Sequence, residues 1–493
     1  MKISIDKSSK VPVYLQIADQ IKAQIISGAL PRSSALPSER ALAQILDVHR
    51  NTVVKAYGEL KSDAWIESRQ GVGYLVASAS TEKEPVGESG EGVQMGRVNW
   101  VNEVADKYLD MEKTFDDLFQ RFTDESHFSL GSGIASREVY TSERVAHDIA
   151  GLLTGSGPSQ YFFSPYKGDR FLRQKLASFL GTKGVKASSG EIQILSETNQ
   201  ALDFIVTLLV KPGDSVVMEE PVHPDMYRVM ELAGARILTV PVDEDGMNCD
   251  VLESLLAQTR PRLIFVNSSF HDPTGCILSL GRRKKLVELS SRYRIPIVEE
   301  DAASELVYDG DKLPPIKAFD TTGNVIYIYS FSLTFIPGLS LAFVTGNRDF
   351  VRALSYLVSV RLMASDWMTQ KLLGMYLDDG SYYSSLATFR EIYSGNRDLV
   401  CQKLDALAHL GVRYERPRGG VYVWCRLPDG VDSKHFINRA YNMGVTLIPG
   451  HVFYPYKNGG RDYIRINYSY ESRERLACGM DVLHKALEEE LEE

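Results

Sequence analysis

The sequence predicts a multidomain chain: a small α+β winged helix-turn-helix head, then a large α/β body with a mostly parallel sheet and a smaller C-terminal α+β lobe. Three observations carry this. Three helical periods and a glycine-tipped pair of strands fill residues 1–78. From residue 124 onward, helical stretches alternate with short apolar strands, the pattern of a sheet buried on both faces. At 493 residues the chain is also too long for one core. The boundaries follow: head 1–78, linker and connecting helix 79–123, body 124–493, with the small lobe at roughly 383–493.

In the head, Tyr14, Ile17, Ile21 and Ile25 recur at helical spacing over residues 12–27, and Gly28 and Pro31 stop the helix. Ser38 is a good N-cap for a second helix that turns Leu42, Ala43 and Leu46 inward. A third runs from about His49 to Ser62, with Val53, Ala56, Tyr57 and Leu60 on one face. Strands around 64–69 and 74–77 flank Gln70-Gly-Val-Gly73. Ala77 to about Met95 is acidic, rich in Gly and Ser and without apolar period, the composition of a flexible linker. A helical stripe returns over Val98–Phe122. Buried strands are expected at 192–195, 215–218, 236–240, 263–266, 297–300, 325–330 and 341–345. A long helix after about Tyr382 and the segment Gly419-Gly-Val-Tyr-Val-Trp424 open the small lobe.

Composition excludes several classes. No apolar run reaches the length of a membrane span, and the start has no signal-peptide core. Cys249, Cys276, Cys401, Cys425 and Cys478 are odd in number and widely spaced, so reduced thiols in the cytoplasm are expected, with no disulfide frame and no metal site. The net charge is −9, but residues 1–78 hold 10 Lys+Arg against 7 Asp+Glu. A basic head on an acidic body points the head alone at a polyanion.

Leu36-Pro-Ser-Glu-Arg-Ala-Leu-Ala43, Arg50-Asn-Thr-Val53 and Ser68-Arg-Gln-Gly-Val-Gly-Tyr74 closely resemble the signature, recognition helix and wing of the GntR family. The resemblance implies double-stranded DNA as partner. Ser38, Thr52 and the helix N-termini suit phosphate oxygens, and Arg40 suits a phosphate or an adjacent base edge. Arg50 and Asn51 open the helix that enters the major groove, with Arg50 placed for a guanine edge. Arg69, Gly71 and Gly73 form the wing.

The body resembles fold-type-I aminotransferases, which use pyridoxal phosphate (PLP), over roughly residues 125–490. The segment Ser330-Phe-Ser-Leu-Thr-Phe-Ile-Pro-Gly-Leu-Ser340-Leu341 matches their cofactor-lysine frame. A GntR head on such a body is similar to the MocR subfamily of bacterial transcription regulators. In the resembling enzymes position 333 is the Schiff-base lysine and position 340 a phosphate-binding arginine; here they are Leu333 and Ser340. The resemblance further puts Glu197, Thr198 and Asn199 of Ser196-Glu-Thr-Asn-Gln200 at the phosphate-binding helix start, and Ser330 at a phosphate hydroxyl. It puts His223 over the cofactor ring, Asp272 at an asparagine and Arg465 at the substrate carboxylate. Glu300 stands where an aspartate meets the pyridine nitrogen, and a one-residue shift of register would give that place to Asp301. A ring-contacting tyrosine is lost at Ala302 or Ala303.

A phosphate of charge about −1.5 to −2 would then lack its cation, and no amine is left to anchor the aldehyde. The expectation is a sequence-specific DNA-binding regulator, not an enzyme, with no cofactor and no metal. As in resembling proteins it is expected to be a homodimer, head-to-tail, with a small carboxylate or amino acid as effector or a ligand-free dimerisation body. A PLP-dependent aminotransferase or PLP-sensing regulator is the competing reading.

Overall fold

A computed structural model describes residues 3, 5, 12–26, 30–31, 34–46, 48–62, 65–69, 73–76, 126–136, 138–140, 142–155, 165–336, 338–362, 366–456 and 459–492. Two compact units divide the chain, Met1–Glu112 and Lys113–Glu493. The expected linker, the helix over Val98–Phe122, and Gly28 and Gly71 lie outside the described residues.

The head contains α1 (Val13–Ile26), α2 (Glu39–Leu46), α3 (Arg50–Ser62), β1 (Ile66–Arg69) and β2 (Gly73–Val76). Ile17, Ile21, Leu42, Val53, Ala56, Tyr57 and Leu60 are buried together, so the apolar stripes read from spacing converge on one core. The strands pair antiparallel, with Arg69 opposite Gly73. Gly73 has φ of 100°, a conformation that costs a residue with a Cβ but not glycine.

The body begins with β3 (Phe128–Ser129), α4 (Ser142–Gly155) and α5 (Arg170–Thr182), then β4 (Ile192–Leu195) and α6 (Thr198–Leu209). It continues with β5 (Ser215–Glu220), α7 (Pro224–Leu232), β6 (Arg236–Asp243), β7 (Gly246–Met247), α8 (Cys249–Gln258) and β8 (Ile264–Asn267). Next come α9 (Leu280–Tyr293), β9 (Ile297–Asp301), β10 (Val325–Ser330) and β11 (Ala342–Thr345). These strands form one sheet in the order β4-β11-β10-β9-β8-β5-β6-β7, parallel apart from β11 and β7. Leu202 and Ile205 of α6 and Met226 of α7 cover one face, while Leu176 and Phe179 of α5 pack with Tyr327 and Tyr329 of β10 on the other. Burial on both faces is why the strands read as apolar runs without alternation.

The chain closes with α10 (Arg348–Arg361), α11 (Trp367–Asp379), α12 (Ser381–Asp405), β12 (Arg413–Tyr414), β13 (Tyr422–Arg426), α13 (Ser433–Asn442), β14 (Val445–Thr446), β15 (Ile448–Pro449), β16 (Tyr463–Asn467) and α14 (Arg473–Leu491). The second sheet is antiparallel, β12-β13-β16-β15. The lobe is not made from 383–493 alone. β3 pairs with β14, and the Asn467 amide donates to Leu130 O at 2.7 Å, so residues near 128–130 belong to it as well. Two strand residues are too few to leave a period in the sequence. Among the described residues no helix is long and apolar enough to cross a membrane, and no three His, Cys, Asp or Glu side chains could hold a metal ion.

Candidate functional site

The C-terminal ends of β4, β5, β8, β9 and β10 lie at one edge of the large sheet, the place where open parallel sheets bind ligands. β9 carries Glu299, Glu300 and Asp301, all buried, and strand alternation sends them to different partners. Glu299 accepts from Ile316 N, Lys317 N and Ser268 Oγ at 2.7, 2.8 and 2.6 Å. Asp301 accepts from Ser304 N at 2.9 Å and from the Tyr327 hydroxyl. Glu300 accepts from Asn267 Nδ2 and feels the charge of Asp272. Glu300, not Asp301, therefore shares a site with Asp272.

Arg465, on β16 and 2% exposed, reaches this edge from the small lobe. Its Nη1 lies 2.7 Å from both carboxylate oxygens of Asp272, and Nη2 donates to Gly131 O at 2.9 Å. The guanidinium also sits 4.2 Å from the Tyr422 ring centroid and 5.2 Å from that of Phe453. The arginine expected to grip an external carboxylate already holds an internal one. Only its buried Nε has no hydrogen-bond partner.

Burial, then the charges of Asp301, Asp272 and Glu299, push the Glu300 carboxyl up to about 8. Burial likewise raises Glu219 at the end of β5 and draws His271 down to about 4. Glu219 Oε2 accepts from Asn267 N at 2.7 Å and stands 3.6 Å from His271 Nε2. Glu219, Asn267 and His271 escape the sequence reading. Their one signal is a polar residue ending an apolar strand, as in Val216-Val-Met-Glu219.

The other expected residues are dispersed around this core. Glu197 is the N-cap of α6, exposed, with no side-chain cap bond. Thr198 opens the helix, and Asn199 Nδ2 donates to Asp225 Oδ2 at 3.2 Å. His223 caps α7, its Nδ1 accepting from Asp225 N at 3.3 Å, while its Nε2 is 3.9 Å from Asp272 Oδ2. It meets the Phe453 ring edge-on. Ser330 Oγ accepts from Ser332 N at 3.2 Å. Leu333 is buried in the turn after β10, Ser340 is half-buried, and Ala303 is buried against Leu306.

Pyridoxal phosphate, which the fold family implies, fits these residues poorly. Leu333 has no amine, and Arg465 is occupied by Asp272. The start of α6, where a phosphate would sit, carries the carboxylates of Glu197 and, through Asn199, Asp225. Each adds repulsion where a dianion needs cations.

In the head, Ser38 Oγ accepts from Ala41 N at 3.2 Å and so caps α2. Arg40 and Asn51 are exposed and Thr52 is half-buried, at the first turns of α2 and α3. Arg69 lies at the end of β1 and Gly73 at the start of β2. Arg50 is not free. Its Nη2 donates to Glu39 Oε2 at 2.9 Å, and Glu39 Oε1 accepts from the Tyr74 hydroxyl at 3.0 Å.

Comparison with known proteins matches residues 125–481 to the family described as aminotransferase class I and II, and residues 13–76 to the bacterial regulatory proteins of the gntR family. The chain belongs to the aminotransferase class I and II family. With its GntR head it has the MocR-type architecture, a DNA-binding GntR-type regulator fused to an aminotransferase-like domain. The uncharacterized HTH-type transcriptional regulator YdfD of Bacillus subtilis is 28% identical over 481 residues, covering 96% of each chain. The probable rhizopine catabolism regulatory protein MocR of Rhizobium meliloti is 27% identical, over 90% of this chain and 88% of its own. Among solved structures, Pyrococcus horikoshii kynurenine aminotransferase is similar with a TM-score of 0.75 and 27% identity, covering 80% of this chain and 98% of that one.

Proposed function

We propose that this chain is a sequence-specific transcription regulator whose aminotransferase-class body performs no transamination and works without PLP, as an effector-binding or dimerising domain. The observation that carries the reading is the combination of Leu333 after β10 with Arg465 held by Asp272. Covalent capture of an aldehyde needs an amine, and recognition of a substrate carboxylate needs a guanidinium with free donors. The amine is absent at Leu333, and the guanidinium of Arg465 is held by Asp272. Lys183 is no substitute, because it bonds to Ser304 and Glu305 on the side of β9 that Asp301 faces, away from Glu300.

The test is the absorbance spectrum of the purified full-length protein with added PLP. No aldimine band is expected, and a band removed by borohydride reduction would overturn the cofactor-free reading. Retention of operator DNA in a gel shift, undiminished by omitting PLP, is the matching positive result.

A further inference from the structure

Asp272 and Arg465 neutralise each other, and this changes which charge the site has left to offer. Around that pair stand Glu300, Glu219 and Asp225. Arg228, the other cation nearby, lies 3.8 Å from Asp225. Carboxyls therefore outnumber cations, and Arg465 keeps no pair of donors for a further carboxylate. Hydrogen-bond accounting points the same way. Glu219 is 1% exposed, yet its Oε1 has no partner, and neither does the amide oxygen of Asn267, whose Nδ2 is spent on Glu300. Buried acceptors without donors are costly and call for a ligand that brings N–H groups. An ammonium brings three donors and a positive charge, whereas a carboxylate brings neither. Arg465 Nε and His271 Nε2 are unpartnered nitrogens here, and each suits a single oxygen at most.

We propose that this site takes a small organic amine, bound non-covalently as its ammonium ion by Glu300, with Glu219 and Asn267 behind it and the Asp272–Arg465 pair beside it. The proposal rests on the cofactor-free reading above. It replaces the small carboxylate expected from Arg465 alone.

Binding carries a proton signature. The groups facing Glu300 are Asp272 in the loop after β8, Asn267 on β8, Glu219 on β5, Tyr422 on β13, and Glu299 and Asp301 on its own strand. Arg465, the cation beside them, is held by Asp272, and Glu300 keeps its proton to about 8 before a ligand arrives. An arriving ammonium favours the carboxylate, so binding releases that proton and tightens as pH rises towards 8. Alkylamines, like lysine, stay protonated to about pH 10.

The experiment is calorimetric titration of the full-length protein with n-butylamine and with butyrate, which share a chain and differ in charge. Millimolar butylamine should bind, at least about ten-fold more tightly near pH 8 than near pH 6, and butyrate should not. In Glu300→Gln the affinity should fall by about ten-fold or more and the pH dependence should flatten. Asp272→Asn, which releases Arg465, should instead gain butyrate binding, a result that a misfolded variant could not give. Butyrate binding by the wild-type chain, no heat with butylamine, or a Glu300→Gln protein that binds butylamine as before would each overturn the proposal. An aldimine band with PLP sinks the cofactor-free reading; absent amine binding without a band sinks this inference alone.

Discussion

Arg50 is half-exposed and shares Glu39 with Tyr74, so one carboxylate joins α2, α3 and β2. Hydrogen bonds from Arg50 and Tyr74 outweigh burial and hold the Glu39 carboxyl below its usual range. An exposed pair of this kind is worth about 0.2–1 kcal/mol. A bidentate contact to guanine is worth about 1–3 kcal/mol. The base is therefore expected to win the guanidinium when DNA arrives, with the pair holding Arg50 near that position until then. Arg50→Ala is expected to weaken operator binding by about 1–3 kcal/mol and to relax base preference at one position. A gel-shift titration at fixed salt checks this, and unchanged affinity would remove Arg50 from the DNA interface. The place of Arg50 was legible from its position at a helix start. Its partner was not, because the pair forms only where α2 crosses α3. The same holds for Asp272 and Arg465, each readable alone but 193 positions apart. Leu333 was legible without any geometry, since a missing amine is a property of one residue.

At the scale of elements, β9 is fully buried yet carries three carboxylates, and each survives by a different route. Glu299 is satisfied by backbone and hydroxyl donors, and Glu300 by remaining protonated. Asp301 depends on a cation. Lys183, at the C-cap of α5 and 1% exposed, donates to Ser304 Oγ and lies 2.7 Å from Glu305 Oε1 and 3.6 Å from Asp301 Oδ2. The Phe179 and Tyr329 rings flank it at 5.1 and 4.6 Å. Burial alone would raise both carboxyls, but Lys183 and the local donors hold them below the ordinary range. Lys183→Met keeps the volume and removes the charge, leaving Asp301 buried without its cation. The expected cost is about 3–5 kcal/mol of body stability, read from denaturant unfolding. A change below about 1 kcal/mol would mean that Ser304 and Tyr327 suffice for Asp301. The strands of this sheet were legible as apolar runs at almost every position. The Lys183 cluster was not, because a lysine after a helix looks solvated until β9 is placed against it.

For the whole molecule, the division of charge and the size of one head together bear on assembly. A head with a net charge of +3 is joined to a remainder of −12, so only the head gains from contact with phosphates. One recognition helix, expected to be α3, would read a single half-site, and modules of that size bury about 600–1,000 Å² on DNA. Specific affinities of roughly 10⁻⁸–10⁻¹¹ M are reached when a second module binds at the raised effective concentration set by linkage. The body is the part large enough to supply that linkage, and we expect a homodimer whose two heads read half-sites one helical turn of about 10–10.5 bp apart, or a multiple of it. Light scattering at micromolar concentration should give twice the chain mass. Scrambling one half-site of a footprinted operator should then cost far more than the base contacts it removes, because the second head loses its anchored position. The salt dependence should also become shallower, since fewer phosphates are neutralised. A monomer in solution, combined with full affinity for a single half-site, would defeat the expectation and leave each head to act alone.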